Sequence, residues 1–142
     1  MVMTVILCTD NNGGRMFHGR RQSRDSAVTE KIREICKGKK LWMNAYSWKL
    51  YGNLDGVETV SDEEFLIKAR REDYCLSESD RLSLVSDKIH AVILFCWNRS
   101  YPSDVCLDLD LEQWEKTMAL EFPGTSHESI TMESYKRNGA LS

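Results

Sequence analysis

The sequence predicts an α/β domain whose sheet is mostly parallel at first and closes on an antiparallel C-terminal hairpin. Three observations carry this. Two apolar segments, 2–8 and 40–45, flank one stretch of helical periodicity, and a β–helix–β order implies parallel strands. A later apolar run, 90–97, reads as a central strand. Finally, 114–122 and 130–137 read as antiparallel strands joined by a loop around Pro123-Gly124. The 142 residues suit a single domain, 1–142, with no internal repeat. At 42% hydrophobic and 29% charged, the chain is neither wholly disordered, collagen-like nor a coiled coil.

The first segment, 2–8, is β-branched and ends in Thr9-Asp10-Asn11-Asn12-Gly13-Gly14, a strand followed by a tight turn. A polar loop is expected over 15–24. Asp25 or Ser26 caps the next helix, in which Val28, Ile32, Ile35 and Cys36 recur at helical spacing. Gly38 stops it, with Lys37 in the last turn, where a cation suits the helix dipole. After the strand 40–45, a short helix over 46–51 ends at Gly52. Ser61-Asp62-Glu63-Glu64 reads as a capping box before Phe65, Leu66 and Ala69. A short strand is expected at 74–76 and a polar connection at 77–86. Val105, Leu107, Leu109 and Leu111 alternate with Cys106, Asp108 and Asp110, the pattern of a strand with one wet face.

Charge is uneven. Residues 1–40 hold nine Lys/Arg against four Asp/Glu, a formal +5; the remainder holds ten against eighteen, −8. A basic N-terminal part on an acidic body fits a local anion site better than general nucleic-acid affinity. The longest apolar run, 91–97, is seven residues, far short of the ~20 that span a bilayer. Residues 1–10 carry no basic stretch or small-residue cleavage site, so they read as a strand and not a signal peptide. Five cysteines with no CxxC pair argue against a disulfide framework or zinc ribbon, and the expected setting is the reducing cytoplasm. Cys8, Cys36 and Cys96 fall on apolar segments and read as core. Trp42, Trp48, Trp97 and Trp114 read as core anchors and not base-stacking platforms.

Arg15-Met-Phe-His-Gly-Arg-Arg-Gln-Ser-Arg-Asp25 is the most unusual segment. Its arginines, with Gln22 and Ser23 as further donors, suit a phosphate or carboxylate. The competing reading pairs the arginines with acids of 55–80. Asp25 is either a proton-handling carboxylate or a helix cap. Tyr101-Pro102-Ser103-Asp104 lines a cleft or forms a turn, and the turn is favoured. Ser126-His127-Glu128 is weak as a nucleophile pair, since neighbours on a strand point to opposite faces, and reads as loop polarity.

The order of these segments resembles the dihydrofolate reductase family over roughly the whole chain. The resemblance rests on the first strand ending in Asp10, the Gly14–Met16 loop, Asp25 opening a helix, and Leu41-Trp42-Met43-Asn44 leading into Ala45-Tyr46-Ser47-Trp48 and Gly52. Further along it rests on Tyr101-Pro102-Ser103-Asp104, Leu107-Asp108, Gln113-Trp114-Glu115 and a hairpin closing near Tyr135. It implies a dihydrofolate or pteridine reductase using NADPH. Asp25 would be the catalytic carboxylate that holds the pterin, Gly14, Met16, Asn44 and Ser47 would touch the cofactor, and the loop 13–24 would close the site.

The chain departs from the family where the cofactor phosphates bind. Ala45 replaces an arginine, Asn44 a glycine, and Glu78 lies where a Gly-Gly turn is usual. The family's threonine partner of the carboxylate falls at or near Phe95, and 52–74 is about half the usual length. The alternative is a non-reductase of this fold. In it Arg20, Arg21, Gln22 and Arg24, beside Asp25, bind an anionic metabolite, a nucleotide or RNA, with hydrolytic, even ribonuclease, activity as an extension. Similar short bacterial sequences are called ribonuclease Z, which implies a His-x-His-x-Asp-His two-metal site. His18, His90 and His127 are too widely separated for that, and no metal is expected.

Overall fold

The computed structural model describes residues 3–137. In chain order the elements are β1 (Met3–Thr9), β2 (Gly14–Phe17), β3 (Arg20–Arg21), α1 (Ser26–Cys36), β4 (Lys40–Met43), α2 (Ala45–Tyr51), β5 (Glu58–Ser61), α3 (Phe65–Lys68), β6 (Asp73–Leu76), β7 (Ile89–Cys96), β8 (Val105–Cys106), β9 (Trp114–Phe122) and β10 (Ile130–Arg137). Seven of the strands form one sheet in the order β5-β4-β6-β1-β7-β10-β9. Its first five strands are parallel, and β10 returns antiparallel between β7 and β9.

The middle of the sheet is β1, whose hydrogen bonds go to β6 on one side and β7 on the other. Both of its faces are covered, which is why it reads as an unbroken apolar run. Ile6 points to one core with Val28 and Ile32 of α1, Leu41, Met43 and Phe95. Val5 and Leu7 point to the other, with Phe65, Leu82, Ile89 and Val92. Each fully buried aliphatic side chain contributes about 1.5–3 kcal/mol. Helix α1 buries Val28, Ile32 and Cys36, spaced by four, on the first core, and its N-cap is Asp25.

Several expectations are corrected. The segment 15–24 is not an open loop. Met16 pairs with Arg21 and Phe17 with Arg20 across a two-residue turn, His18-Gly19, in which both residues have positive φ (53° and 73°). That is the turn whose twist suits a tight hairpin. The regular alternation from Val105 to Leu111 yields only the two residues of β8, which join β2 in a separate three-stranded sheet, order β3-β2-β8. Strand β5 falls where no strand was expected. The helix after the supposed capping box is a single turn, with no side-chain cap bond at its N-cap, Glu64. Instead Asp62 accepts from the Glu64 N–H and pairs with Lys68. Trp97 and Trp114 are buried anchors, but Trp48 is 39% exposed. Val2 lies outside the described residues.

Candidate functional site

The buried polar groups gather at the C-terminal end of β1 and the N-terminus of α1. Asp25 is 3% exposed and His127 5%. Asp25 sits between the hairpin β2–β3 and α1, while residues 123–129 link β9 to β10 and fold back over it. Asp25 Oδ1 accepts from the Ala27 N–H (2.8 Å), the Thr125 N–H (2.9 Å) and the Thr125 hydroxyl (2.8 Å). Asp25 Oδ2 accepts from the Ser126 N–H (2.9 Å) and lies 2.9 Å from His127 Nδ1. Burial alone would raise this carboxyl. The bonds from Thr125, His127, Ser126 and Ala27 outweigh it and hold the group well below the usual carboxylate range.

An ionised carboxylate is acceptor-only, so His127 Nδ1 carries a proton toward Asp25. The other ring nitrogen, Nε2, faces two hydroxyls: Ser23 Oγ at 2.9 Å and Tyr101 Oη at 3.1 Å. The imidazole stacks on the buried Trp97 ring, centroids 4.6 Å apart at 19°. The close fold-back explains Gly124. A Cβ there would lie 2.6 Å from Asp25 Oδ2 and 2.7 Å from the His127 carbonyl oxygen.

Asp10 organises the other side. Its Oδ1 accepts from the Asn12 and Gly14 N–H groups (both 2.8 Å), and its Oδ2 accepts from the Tyr101 N–H (2.9 Å) and Gln22 Nε2 (3.2 Å). Burial raises this carboxyl too, and the backbone donors, Tyr101 first, bring it below the ordinary value. Gln22 also donates to the Pro102 carbonyl, while its own Oε1 is buried with no partner among the described residues. Gly14 lies against this group, since a Cβ there would come 2.5 Å from Gln22 Nε2.

The arginines divide into two kinds. Arg21 is committed to this chain. Its Nε and Nη2 hold both oxygens of Glu78 (2.7 and 2.9 Å), its guanidinium lies 4.5 Å from the centre of the Tyr46 ring, and Ser47 Oγ donates to the same carboxylate (2.8 Å). Arg20 and Arg24 are exposed and make no ion pair among the described residues. They line two separate clefts. One, of about 540 Å³, is bounded by Phe17, Arg20, Arg21, Gln22, Tyr101 and Pro102, so Arg21 borders it while paired with Glu78. The other, of about 470 Å³, is bounded by Arg24, the carboxylates Asp25 and Glu30, Thr29, Leu50 and Thr125. Ser23 stands between them in the chain.

The residues expected at the cofactor serve the protein's own structure. Met16 is buried, Asn44 caps α2 by accepting from the Ser47 N–H (2.9 Å), and Ser47 is bound to Glu78. A phosphate arriving at Glu78 would meet a carboxylate, and it could gain Arg21 only by breaking a bidentate ion pair. No group of three or more metal-ligating side chains occurs among the described residues, and no helix there is long and apolar enough to cross a membrane.

The structure thus brings Asp25 and Gln22 into one polar network with Ser23, Tyr101 and His127. It leaves Arg20 and Arg24 at the rim and draws Arg21 away to Glu78. His127 and Tyr101 are the residues that sequence reasoning undervalued. Ser23 is 104 positions from His127, so no spacing could have signalled the pair.

No protein-family model and no curated protein matches the chain. Among solved structures it is similar to a dihydrofolate reductase from Enterococcus faecalis complexed with NADP(H) and RAB-propyl. The TM-score is 0.70 at 13% identity, over 96% of each chain. The chain therefore has the dihydrofolate-reductase-like fold, a single α/β domain with a mostly parallel sheet and antiparallel strands at its end.

Proposed function

We propose that this chain is a non-reductase of the dihydrofolate-reductase-like fold that binds a small anion, carboxylate or phosphate, at the Arg20–Asp25 segment. One observation carries the reading: every side of the Asp25 carboxylate that could hold a pterin is already occupied by the chain's own Ala27, Thr125, Ser126 and His127. A carboxylate so satisfied and so acidic has neither a free acceptor for a ligand's amino group nor a proton to give. Arg20 and Arg24, exposed and unpaired among the described residues, remain for an anionic metabolite or nucleotide. The clefts beside them are small, which favours such a ligand over an RNA strand. The free cysteines are in keeping with a reducing, cytoplasmic setting.

A pteridine reductase using NADPH is the second reading, and the fold shared with a reductase solved with NADP(H) favours it. It requires the Arg21–Glu78 pair to open for the cofactor. Titration of the full chain with NADPH, AMP and succinate, followed by tryptophan fluorescence, separates the two. Saturable binding of AMP or succinate, weakened at least about tenfold by Arg20→Ala with Arg24→Ala and without NADPH binding, supports the first reading. NADPH binding with oxidation on addition of dihydrofolate overturns it in favour of the second.

A further inference from the structure

The Ser23–His127 contact is more than a buried histidine requires. Tyr101 alone would satisfy Nε2, yet the Ser23 hydroxyl reaches the same nitrogen at the shorter distance, 2.9 Å. The ring behind it is fixed by Asp25 at Nδ1 and by Trp97 across its face. A hydroxyl, an imidazole and an ionised carboxylate aligned through two 2.9 Å contacts are the arrangement that turns serine into a nucleophile.

We infer that Ser23 is a nucleophile, His127 its general base and Asp25 the positioning carboxylate of a hydrolase acting on carboxylic esters that bear an anionic group. The inference rests on the anion-binding reading for that last feature, because Arg20 and Arg24 flank Ser23 in the chain and each lines a cleft.

The chemistry balances without a further reagent. Ser23 Oγ bonds to the acyl carbon, the carbonyl electron pair moves to its oxygen, and the serine proton passes to His127 Nε2. The imidazolium is held by Asp25. Once Nε2 is protonated, the Tyr101 hydroxyl loses its acceptor and becomes a donor for the nearby oxyanion. Collapse breaks the ester C–O bond, and the departing alkoxide takes the proton from Nε2. A water then attacks the acyl-serine and gives its proton to Nε2. Ser23 leaves and recovers that proton, and the products are an alcohol and a carboxylic acid.

The test uses the full chain with mono-p-nitrophenyl succinate and, as the neutral comparison, p-nitrophenyl acetate. The expected result is an acyl adduct on the Ser23 peptide by mass spectrometry and faster p-nitrophenolate release from the succinyl ester. Ser23→Ala should lower that release by about 10³-fold while still binding succinate, and Ser23→Cys should restore the adduct. Acylation at other residues, or release unchanged in Ser23→Ala, overturns the inference. Succinate binding with no adduct overturns it and leaves the anion-binding reading standing. Absence of both binding and adduct removes both. Equal acylation by the two esters overturns the anionic substrate class.

Discussion

His127 Nδ1 lies 2.9 Å from Asp25 Oδ2, although the two residues are 102 positions apart. The contact ties the start of α1 to the loop between β9 and β10, so one buried pair joins the N-terminal and C-terminal parts of the fold. It also decides which proton the imidazole keeps and leaves Nε2 facing Ser23 and Tyr101.

The Asp25 carboxyl is depressed in the folded chain, so protonation favours unfolding. Its contribution is fully present above the unfolded value, about 4, and is lost as the pH falls below it. Asp25→Asn should lower stability at neutral pH by about 3 kcal/mol, because an amide NH₂ then faces backbone donors. Urea titrations across pH 2–7 should show a flatter acid limb for the variant than for the wild type. Parallel limbs would mean that other carboxylates dominate.

Gly124→Ala should disturb the same pair without touching its chemistry. The added Cβ would fall 2.6 Å from Asp25 Oδ2 and 2.7 Å from a backbone oxygen that cannot swing aside. A loss of about 1–3 kcal/mol is expected, together with weakened His127–Ser23 coupling, seen as a changed His127 ring resonance by NMR. Wild-type stability would show that the loop relaxes freely.

Glu78→Gln should release Arg21. Glu78 and Arg21 side chains are 12% and 19% exposed, so the bidentate pair is largely shielded from water. Thermal unfolding should show a cost of about 1–3 kcal/mol. The freed guanidinium should tighten pyrophosphate binding, measured by calorimetry at low salt. Unaltered affinity would show that Arg21 cannot turn toward a ligand from where Tyr46 holds it.

Cysteine reactivity should follow burial. Cys106 is exposed, whereas Cys36 and Cys75 are buried, and burial pushes the Cys36 thiol up to about 12. Ellman's reagent should modify Cys106 first in the native chain and the buried thiols only on unfolding. Fast modification of Cys36 would contradict its place on the buried face of α1.

The parts legible in the sequence are those set by local periodicity. Val28, Ile32 and Cys36 mark the buried face of α1, and Asp25 marks its cap, because helix spacing and capping act over a few residues. The β1 run, the hairpin of β9 and β10 and the overall order are legible for the same reason. The order is also what carries the family resemblance at 13% identity to a solved structure. The alternation at 105–111 misled because the hydrogen-bond partner of a strand is not in its own sequence: Val105 and Cys106 pair with β2, and past Leu107, which bonds to the Gly13 carbonyl, the ladder does not continue. The strand β5 went unread for the complementary reason, since Glu58–Ser61 carries little apolar signal and pairs along the edge of β4.

The site itself divides the same way. The sequence determined by itself that arginines, Gln22, Ser23 and a carboxylate crowd the approach to α1. Only the tertiary structure decided which of them act together. It spent Arg21 on Glu78 and brought His127 across the sheet to Asp25 and Ser23. These pairings are electrostatic contacts between segments distant in the chain, and their geometry exists only after the sheet has set the register of β10 beside β7. Side-chain type is written locally, whereas the distance that sets a histidine between a carboxylate and a hydroxyl is a property of the packed fold.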